Sequence, residues 1–552
     1  MVAQAFQVAA NEPAERFDAP ITAPASNKLM GVLRFEDPNL PGQVFGVVTG
    51  QAKQGTNTVM RTRALPTSQG WVRDWPDPLY ATNYGTNYGT AIAVQQGFAN
   101  GHFLTAAVGA VQTPSGFDTV VILYDQAGNY IWPGGARFYN HLDVFGNAAG
   151  DDIPVDVVID NLGYVYVLVT STGGLNPTGV NTNKDIALVK FGNGFGDNGD
   201  MIWEYRYNNG DVNLDDIAVD LDIFNPGFTP GAGECDATGV YVTGISYSVE
   251  KQDIITFGTR LSGPSGNAPP DVIFKKRYQG GRTDIPTAIK VREIGDPSDS
   301  IYTAVGVFVT GYTERLTSGW DYVTLAYSGC AVGLEPAGDE FWNAGNDLPL
   351  GERNFYDAGA GLTDIARGIE VVWEPLNQVN GPGPYVYVTG ESNTTTNGFD
   401  FVTIKYNAVD GRIVDGWGTA PMAEPGVARF DRDPTSGDDK GLSIVAGEKN
   451  DLYVVGSSIG FLSVDYLTIR YDLDDGERNW VIPAEGFIAY DNAGSDLPAQ
   501  VGLMRRFNNS MDPCYLYKPF IFVHGTSAAG TGTQYAVPKY EQLGPIGGGS
   551  CP

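Results

Sequence analysis

The strongest constraint on the fold is a repeat that recurs along the whole chain of 552 residues. A short apolar strand ends in Thr-Gly or a related pair at intervals of about 68 residues, which fits a four-stranded propeller blade with long loops. These strand ends lie at Gly50, Gly109, Ser171, Gly244, Gly311, Gly390, Gly456 and Gly525. The sequence therefore predicts a fold built from one repeated small unit.

Three further strands accompany each Thr-Gly strand, and we label the four strands of a unit a to d, with b as the Thr-Gly strand. Strands a and c each open beside an aspartate, and strand d follows a glycine turn and carries Trp132, Trp203 or Trp480 in three of the units. Tight turns between strands favour residues that accept a positive φ, which agrees with the 72 glycines. We predict an all-β propeller of four-stranded antiparallel blades, with eight blades and seven as the alternative.

The two ends of the chain differ from the repeats. We assign residues 1–28 to an N-terminal segment, 29–543 to the propeller and 544–552 to a glycine-rich tail. The last unit has no clear strand d, and residues 14–18 resemble the strand-d tail at 428–431. We expect a strand within residues 6–18 either to complete the last blade of its own ring or to be donated to another molecule.

The first ten residues leave two interpretations open. The small-x-small pattern of Ala3-Gln4-Ala5 has the form of a signal-peptide cleavage site, yet a basic start and a long apolar stretch are missing. The alternatives are a chain numbered from within its signal and an ordinary N-terminus.

The net charge of the chain limits the classes of partner that are expected. Only 34 basic residues stand against 64 acidic ones, for a net charge of −30. Binding of a nucleic-acid backbone or of an anionic membrane requires clustered lysine and arginine, so both partners are disfavoured. No apolar run reaches 18 residues, so no membrane insertion is predicted.

A family resemblance supports the propeller. The order Asp-x-Ala/Pro, VYVTG, DYVT-x-x-Y and Gly-x-x-x-Trp resembles the bacterial and archaeal propeller repeats called SBBP repeats. The resemblance extends from near Gly89 to Tyr540, about 80% of the chain. It implies the fold and a secreted or surface-attached location, and it implies no particular chemistry.

The order of the strands predicts where the four cysteines lie. Cys235 and Cys514 fall in a–b loops, Cys330 falls in a c–d loop, and Cys551 follows strand c of the last unit. These loops leave from the same face of the propeller. We predict the disulfides Cys235–Cys330 and Cys514–Cys551, the second of which would pin the C-terminal tail; the alternative is four free thiols.

Two series of aspartates are expected on the opposite face. The strand-a series comprises Asp152, Asp216, Asp284, Asp364, Asp439 and Asp496. The strand-c series comprises Asp118, Asp185, Asp253, Asp321, Asp400 and Asp465. One interpretation is that each carboxylate accepts backbone N–H bonds and fixes a turn. The other is that the strand-a series forms an acidic ring that binds Ca²⁺.

The segment from Asp472 to Glu477 also resembles part of a calcium loop. It lacks the later ligands of an EF-hand and falls at a c–d hairpin, so turn chemistry is the competing interpretation.

Motifs for catalysis are absent from the sequence. His102, His141 and His524 are the three histidines, and no H-E-x-x-H, G-x-S-x-G or phosphate-binding loop occurs. We therefore predict no catalytic residue, no organic cofactor and no enzymatic activity.

The function predicted first is a non-enzymatic extracellular structural protein, a subunit of a surface layer or of a self-assembling fibre, with itself as partner. The second hypothesis is an adhesion propeller that binds glycans or cell-surface proteins in loops near 173–183, 328–353 and 373–384. The third is a polysaccharide-acting enzyme that uses carboxylates at the channel mouth.

Overall fold

The structure is a computed structural model of the chain, and it describes the residues in which the strands and their tight turns lie. The described ranges are 15–17, 30–33, 45–54, 57–65, 71–76, 85–98, 102–114, 116–141, 150–173, 183–209, 214–226, 236–249, 251–263, 268–280, 282–295, 304–315, 319–330, 336–342, 355–359, 361–374, 383–394, 398–418, 426–432, 437–447, 451–459, 464–478, 487–490, 496–504, 520–529, 532–537 and 539–541. Within these ranges, no helix is long and apolar enough to cross a membrane.

The described chain is all-β, as predicted. Its first half contains β1 (Glu15–Phe17), β2 (Met30–Leu33), β3 (Phe45–Gln54), β4 (Asn57–Leu65), β5 (Val72–Trp75), β6 (Asn87–Phe98), β7 (His102–Thr113), β8 (Gly116–Asp125), β9 (Ala136–Tyr139), β10 (Asp152–Ile159), β11 (Val165–Thr172), β12 (Lys184–Phe191), β13 (Met201–Tyr207), β14 (Asp216–Phe224), β15 (Gly239–Tyr247), β16 (Gln252–Thr259) and β17 (Val272–Tyr278). Its second half contains β18 (Asp284–Glu293), β19 (Val305–Arg315), β20 (Gly319–Ser328), β21 (Phe355–Tyr356), β22 (Asp364–Glu374), β23 (Gly383–Thr394), β24 (Gly398–Asn407), β25 (Val427–Phe430), β26 (Asp439–Ala446), β27 (Asp451–Ile459), β28 (Val464–Asp472), β29 (Phe487–Tyr490), β30 (Asp496–Met504), β31 (Phe520–Ala529), β32 (Gly532–Val537) and β33 (Lys539–Glu541).

The strands form antiparallel sheets in chain order. Seven sheets have four strands each, from β2–β5 through β26–β29, and neighbouring strands in the sheet are consecutive in the chain. A further sheet has five strands and the order β1-β32-β31-β30, with β33 also paired to β31. Of the side chains in this last sheet, only Val523 is described, so the number of eight blades stays a prediction.

The sheets follow one another in the manner of a β-propeller. The first strand of each sheet contacts the first strand of the next sheet, from β2 and β6 through β26 and β30, and β30 also contacts β2. Apolar side chains fill the space between consecutive sheets. Val121 of β8 and Val167 of β11, for example, belong to one buried cluster. Because a single sheet cannot bury both of its faces, this stacking supplies the core.

The structure gives a physical reason for the Thr-Gly repeat. A Cβ atom on Gly311 would lie 2.0 Å from the carbonyl oxygen of Ile285 on the paired strand, and one on Gly390 would lie 2.0 Å from that of Ile365. Only glycine permits this close approach of two backbones. The preceding Thr310 shares a 3.1 Å hydrogen bond with Thr324 of strand c, which ties the centre of the sheet together.

Seven of the eight innermost strands carry an irregularity that the repeat does not predict, and β2 pairs with β3 without one. The register of β10 against β11 skips Val155, and that of β18 against β19 skips Thr287. The same skip occurs in the innermost strands β6, β14, β22, β26 and β30. Such β-bulges bend a strand and increase its twist, and they lie here at the inner edge of every sheet in which they occur.

The tryptophans connect neighbouring sheets, which corrects part of the strand-d prediction. Trp132 lies in the turn before β9 and donates its Nε1–H to the Gly192 carbonyl of the next sheet at 3.1 Å. Its ring fills the space beside Gly199, where a Cβ atom would lie 2.3 Å from Trp132 Cδ1. Equivalent bonds to the next sheet join Trp71 to Gln126, Trp342 to Ala408 and Trp417 to Asp472. Trp203 instead lies within β13, as predicted.

Candidate functional site

The aspartates that open the innermost strands cluster at one rim of the molecule. We call this the carboxylate rim and define it by Asp152, Asp216, Asp284, Asp364 and Asp439, which are the first residues of β10, β14, β18, β22 and β26. Asp496 opens β30 in the same way, and its side chain lies outside the described residues. The prediction that these residues begin the strands is therefore confirmed.

Each described carboxylate of this series closes the loop that joins two sheets. The backbone N–H of His141 donates to Asp152 Oδ2 at 2.8 Å, and that of Gly280 donates to Asp284 Oδ2 at 2.9 Å. The N–H groups of Asn209, Ala358 and Arg432 donate in the same manner to Asp216, Asp364 and Asp439. A carboxylate that accepts a backbone N–H in this position fixes the turn before the strand.

The neighbouring strand offers hydroxyl groups to the same carboxylates. The Ser171 hydroxyl donates to Asp152, and the Thr313 hydroxyl donates to Asp284. All five carboxylates are buried. Burial raises the pKa of Asp152 to about 7, although these hydrogen bonds and the Arg206 charge oppose the shift. Burial likewise raises the pKa of Asp216, Asp364 and Asp439 to about 6.

The strand-c aspartates lie beside the first series, and most of them pair with arginine. Arg277 Nε lies 2.7 Å from Asp253, and Arg206 Nη2 lies 2.8 Å from Asp185. The further pairs are Arg429 with Asp400, Arg432 with Asp465 and, at 3.7 Å, Arg315 with Asp321. The carboxylate rim is thus an internal network of turns and ion pairs.

Asp118 differs from the other members of the strand-c series. The Asn140 amide donates to its Oδ2 at 3.2 Å, and desolvation raises its pKa to about 6. Amides occupy the same position in two further sheets, where Asn208 donates to Asp185 and Gln279 donates to Asp253.

One place in the described part of the chain brings three acidic groups close enough to share a cation. Oxygen atoms of Asp321, Asp357 and Asp364 lie within 4.8 Å of one another. Asp357 follows β21, where Asn208 and Gln279 follow their own strands, and a carboxylate here replaces an amide. Of the six predicted calcium ligands, Asp364 alone belongs to a group of this kind among the described residues. Binding of Ca²⁺ to the strand-a series stays a prediction.

The segment that resembles a calcium loop forms a hairpin turn. Asp474 N–H donates to Asp472 Oδ1 at 2.8 Å, and Gly476 N–H donates to the Asp472 carbonyl at 2.9 Å. Glu477 N–H donates to Asp475 Oδ1 at 2.8 Å. These bonds supply the turn chemistry that the sequence analysis offered as the competing interpretation.

The cysteines are described in part. Cys330 is buried, and it lies at the end of strand c in the fifth sheet along the chain. Cys235, Cys514 and Cys551 lie outside the described residues, as do most residues of the three long loops near 173–183, 328–353 and 373–384. Both disulfide pairings stay predictions.

Comparisons with known proteins find only weak structural similarities. No protein-family model matches the sequence, and no curated protein is similar to it. Extracellular domains 1-2 of Drosophila Semaphorin 1b are similar in structure, with a TM-score of 0.37 and 10% identity over 82% of this chain and 86% of that one. The Bombyx mori GH32 β-fructofuranosidase BmSUC1 has a TM-score of 0.24 and 11% identity over 81% and 87% of the two chains. Similarities this weak carry no argument about function.

Proposed function

We propose that this chain is an extracellular structural protein, a subunit of a surface layer or of a self-assembling fibre, and that its N-terminal strand makes the connection between subunits. One observation carries the proposal. The three residues of β1 pair with β32 in the last sheet, with Glu15 opposite Val537, Arg16 opposite Ala536 and Phe17 opposite Tyr535. The edge of that sheet is therefore occupied by a strand from the far end of the chain.

The pairing suits exchange between copies. Without β1, strand β32 would present unpaired backbone groups, and such an edge is a template for a strand of another molecule. The three paired residues of β1 make few backbone hydrogen bonds, so little is lost when the strand leaves. In one chain β1 closes the ring; donated to a neighbour, it would extend a polymer.

Two further considerations support an extracellular role. The motifs resemble SBBP repeats, which implies a secreted or surface-attached protein. The net charge of −30 keeps isolated subunits soluble before assembly. Binding of glycans or surface proteins, and polysaccharide cleavage, remain the alternative functions. A glycan array and an assay for released reducing ends address them.

Two cysteines placed across the β1–β32 pair test the proposal. Arg16→Cys with Ala536→Cys puts two thiols on directly opposed residues, a separation that a disulfide spans. Under oxidising conditions and without reductant, exchanged strands give a ladder of covalent oligomers on a denaturing gel. Electron micrographs of the same material are expected to show polymers, and deletion of residues 1–18 is expected to abolish them.

A matched control keeps the disulfide inside one chain. Arg61→Cys with Asp74→Cys joins two directly opposed residues of β4 and β5 within one sheet, where exchange of β1 has no effect. This variant should remain at the mass of a single chain. If the Arg16–Ala536 variant also remains there at high protein concentration, and micrographs show single particles, the strand serves its own ring and the proposal is wrong.

A further inference from the structure

A cavity on the axis of the ring is a second feature of the molecule, which the carboxylate rim does not explain. Its volume is about 820 Å³, within the range of small-molecule sites. The innermost strands β10, β14, β18, β22 and β26 supply nearly all of its lining. The inference drawn from this cavity is independent of strand exchange.

The β-bulges give the cavity its apolar wall. The residues that the sheet register skips on five consecutive innermost strands all line it, and they are Val155, Val219, Thr287, Arg367 and Leu442. Ile153, Ile217 and Ile285 add a further apolar layer. Three of the five skipped residues are apolar, namely Val155, Val219 and Leu442, and together with the isoleucines they favour contact with a hydrocarbon group.

The carboxylates that line the cavity already have partners. Asp220 Oδ2 accepts the backbone N–H of Ile289 on the next sheet at 2.8 Å, and Asp156 Oδ2 accepts that of Leu221 at 3.4 Å. Glu370 accepts the N–H of Val371 and lies 3.9 Å from Arg292. These acidic groups satisfy the inner edges of the sheets, where strand N–H groups would otherwise be unpaired.

The two cations of the cavity lining differ in whether they have a partner. Arg367 Nη2 lies 2.6 Å from Glu391, whose other oxygen lies 3.1 Å from Lys440. Lys290 is half-buried in the cavity wall, and it has no hydrogen-bond or ion-pair partner among the described residues. Lys290 is therefore the one charged side chain of the lining for which the described residues supply no partner.

We propose that this axial cavity binds a small amphiphilic carboxylate, with its hydrocarbon chain against the bulge residues and its carboxylate on Lys290. A charge-assisted hydrogen bond to a partly desolvated lysine gives the head group its orientation. Burial of each methylene adds to the affinity, at about a fourfold gain per group. The ligand class follows from the apolar bulge residues together with a lysine for which the described residues supply no partner.

Titration calorimetry with decanoate, below its micelle concentration, tests the proposal. We expect one decanoate to bind per chain, hexanoate to bind far more weakly, and decyltrimethylammonium, which has the opposite charge, to bind at least about tenfold more weakly. Lys290→Met should weaken decanoate binding about tenfold, and Lys290→Arg should restore most of it. Lys276→Met, on the outer strand β17, is the matched control and should leave binding unchanged.

The possible outcomes distinguish a specific site from nonspecific uptake of amphiphiles. Weaker binding in Lys290→Met with an unchanged melting temperature supports the site. Equal binding of decanoate and decyltrimethylammonium, or equal binding by the wild-type chain and Lys290→Met, would show nonspecific uptake of amphiphiles and overturn it. Absence of decanoate heat up to the solubility limit would overturn it as well.

Discussion

The two rims of the molecule join the sheets by different chemistry. Opposite the carboxylate rim lies the tryptophan rim, which we define by Trp71, Trp132, Trp342 and Trp417. There, an indole from one sheet covers a glycine of the next sheet and donates to a carbonyl in the same turn, as Trp342 does with Gly411 and Ala408. At the carboxylate rim, arginine and aspartate pair mainly within one sheet, as Arg277 of β17 does with Asp253 of β16.

The difference indicates that the two rims contribute differently to the stability of the fold. Burial of an indole between sheets removes a large apolar area from water and stabilises the ring directly. Burial of a carboxylate costs free energy that its hydrogen bonds only offset, so the carboxylate rim chiefly fixes the geometry of turns. We expect substitutions at the tryptophan rim to cost more stability than substitutions at the carboxylate rim.

The largest effect is expected for Trp342→Ala. Trp342 is fully buried, so its removal leaves a cavity between two sheets and should lower the free energy of unfolding by about 3–5 kcal/mol. Denaturant titration followed by circular dichroism measures it. Trp320→Ala is the matched control, because Trp320 is half-buried and lies near the carboxylate rim against Tyr312. Equal losses in both variants would contradict the division between the rims.

Substitution of Gly411 tests the contact with Trp342 from the neighbouring sheet. A Cβ atom there would lie 2.7 Å from the Trp342 ring, so Gly411→Ala should destabilise the wild-type chain. In a Trp342→Ala background the clash is gone and only the cost of the positive φ remains. Additive losses would show that the indole and the glycine are energetically independent.

The predicted disulfides would strengthen the tryptophan rim further, since the c–d and a–b loops leave from that side. Cys514–Cys551 closes a loop of about 36 residues, and Cys514→Ser should lower the free energy of unfolding by about 3–4 kcal/mol. Peptide mapping by mass spectrometry without reductant should find that pair and Cys235–Cys330. Four free thiols in the unfolded protein, or a different pairing, would show the prediction to be wrong.

The carboxylate rim is easier to predict from the sequence than the tryptophan rim, for a physical reason. Aspartates that open strands act locally, so Asp152 and its equivalents could be placed from the repeat alone. Trp132 was predicted to lie in strand d, whereas it lies in the turn before β9 and its indole packs against Gly199 of the next sheet. Contacts between sheets join residues more than fifty positions apart, and spacing does not reveal them.

The β-bulges are hard to predict from the sequence for a related reason. The available signal is the small or cyclic third residue of each bulged innermost strand, such as Pro154 and Ala218, which precedes the skipped residue. The same residue is also part of the Asp-x-Ala/Pro motif of the repeat. The cavity and Lys290 depend on which side of a bulge a residue faces, and this requires the folded backbone.

A smaller effect, on pH dependence, is expected at the carboxylate rim. The folded-state pKa of Asp152 is about 7, above its ordinary value of 3.8. The folded state therefore holds this proton longer than the unfolded state, and the contribution of Asp152 to stability falls as the pH rises from about 4 to 7. Asp152→Asn fixes the neutral form. It should reduce the loss of unfolding free energy between pH 5 and pH 8 by about 2 kcal/mol.

The comparison of the wild-type chain with Asp152→Asn isolates this group from others that titrate in the same range. His141, for example, has a pKa lowered by burial, and it acts in the opposite direction because its neutral form is favoured on folding. Thermal unfolding across the pH range supplies the measurement. Parallel pH profiles for the two proteins would mean that Asp152 is ionised in the folded state at pH 5.

The smallest effect is expected at Asp357, where a carboxylate takes the place of the amides of Asn140, Asn208 and Gln279. In the presence of a chelator, Asp357→Asn should relieve repulsion from Asp321 and Asp364 and raise the free energy of unfolding by about 0.5–1 kcal/mol. Asp431→Asn is the matched control, since Arg429 already neutralises the neighbouring Asp400. Millimolar Ca²⁺ then tests the calcium prediction at this rim. If the wild-type chain gains stability and Asp357→Asn does not, the three carboxylates bind the ion; if neither protein responds, they serve only the turn.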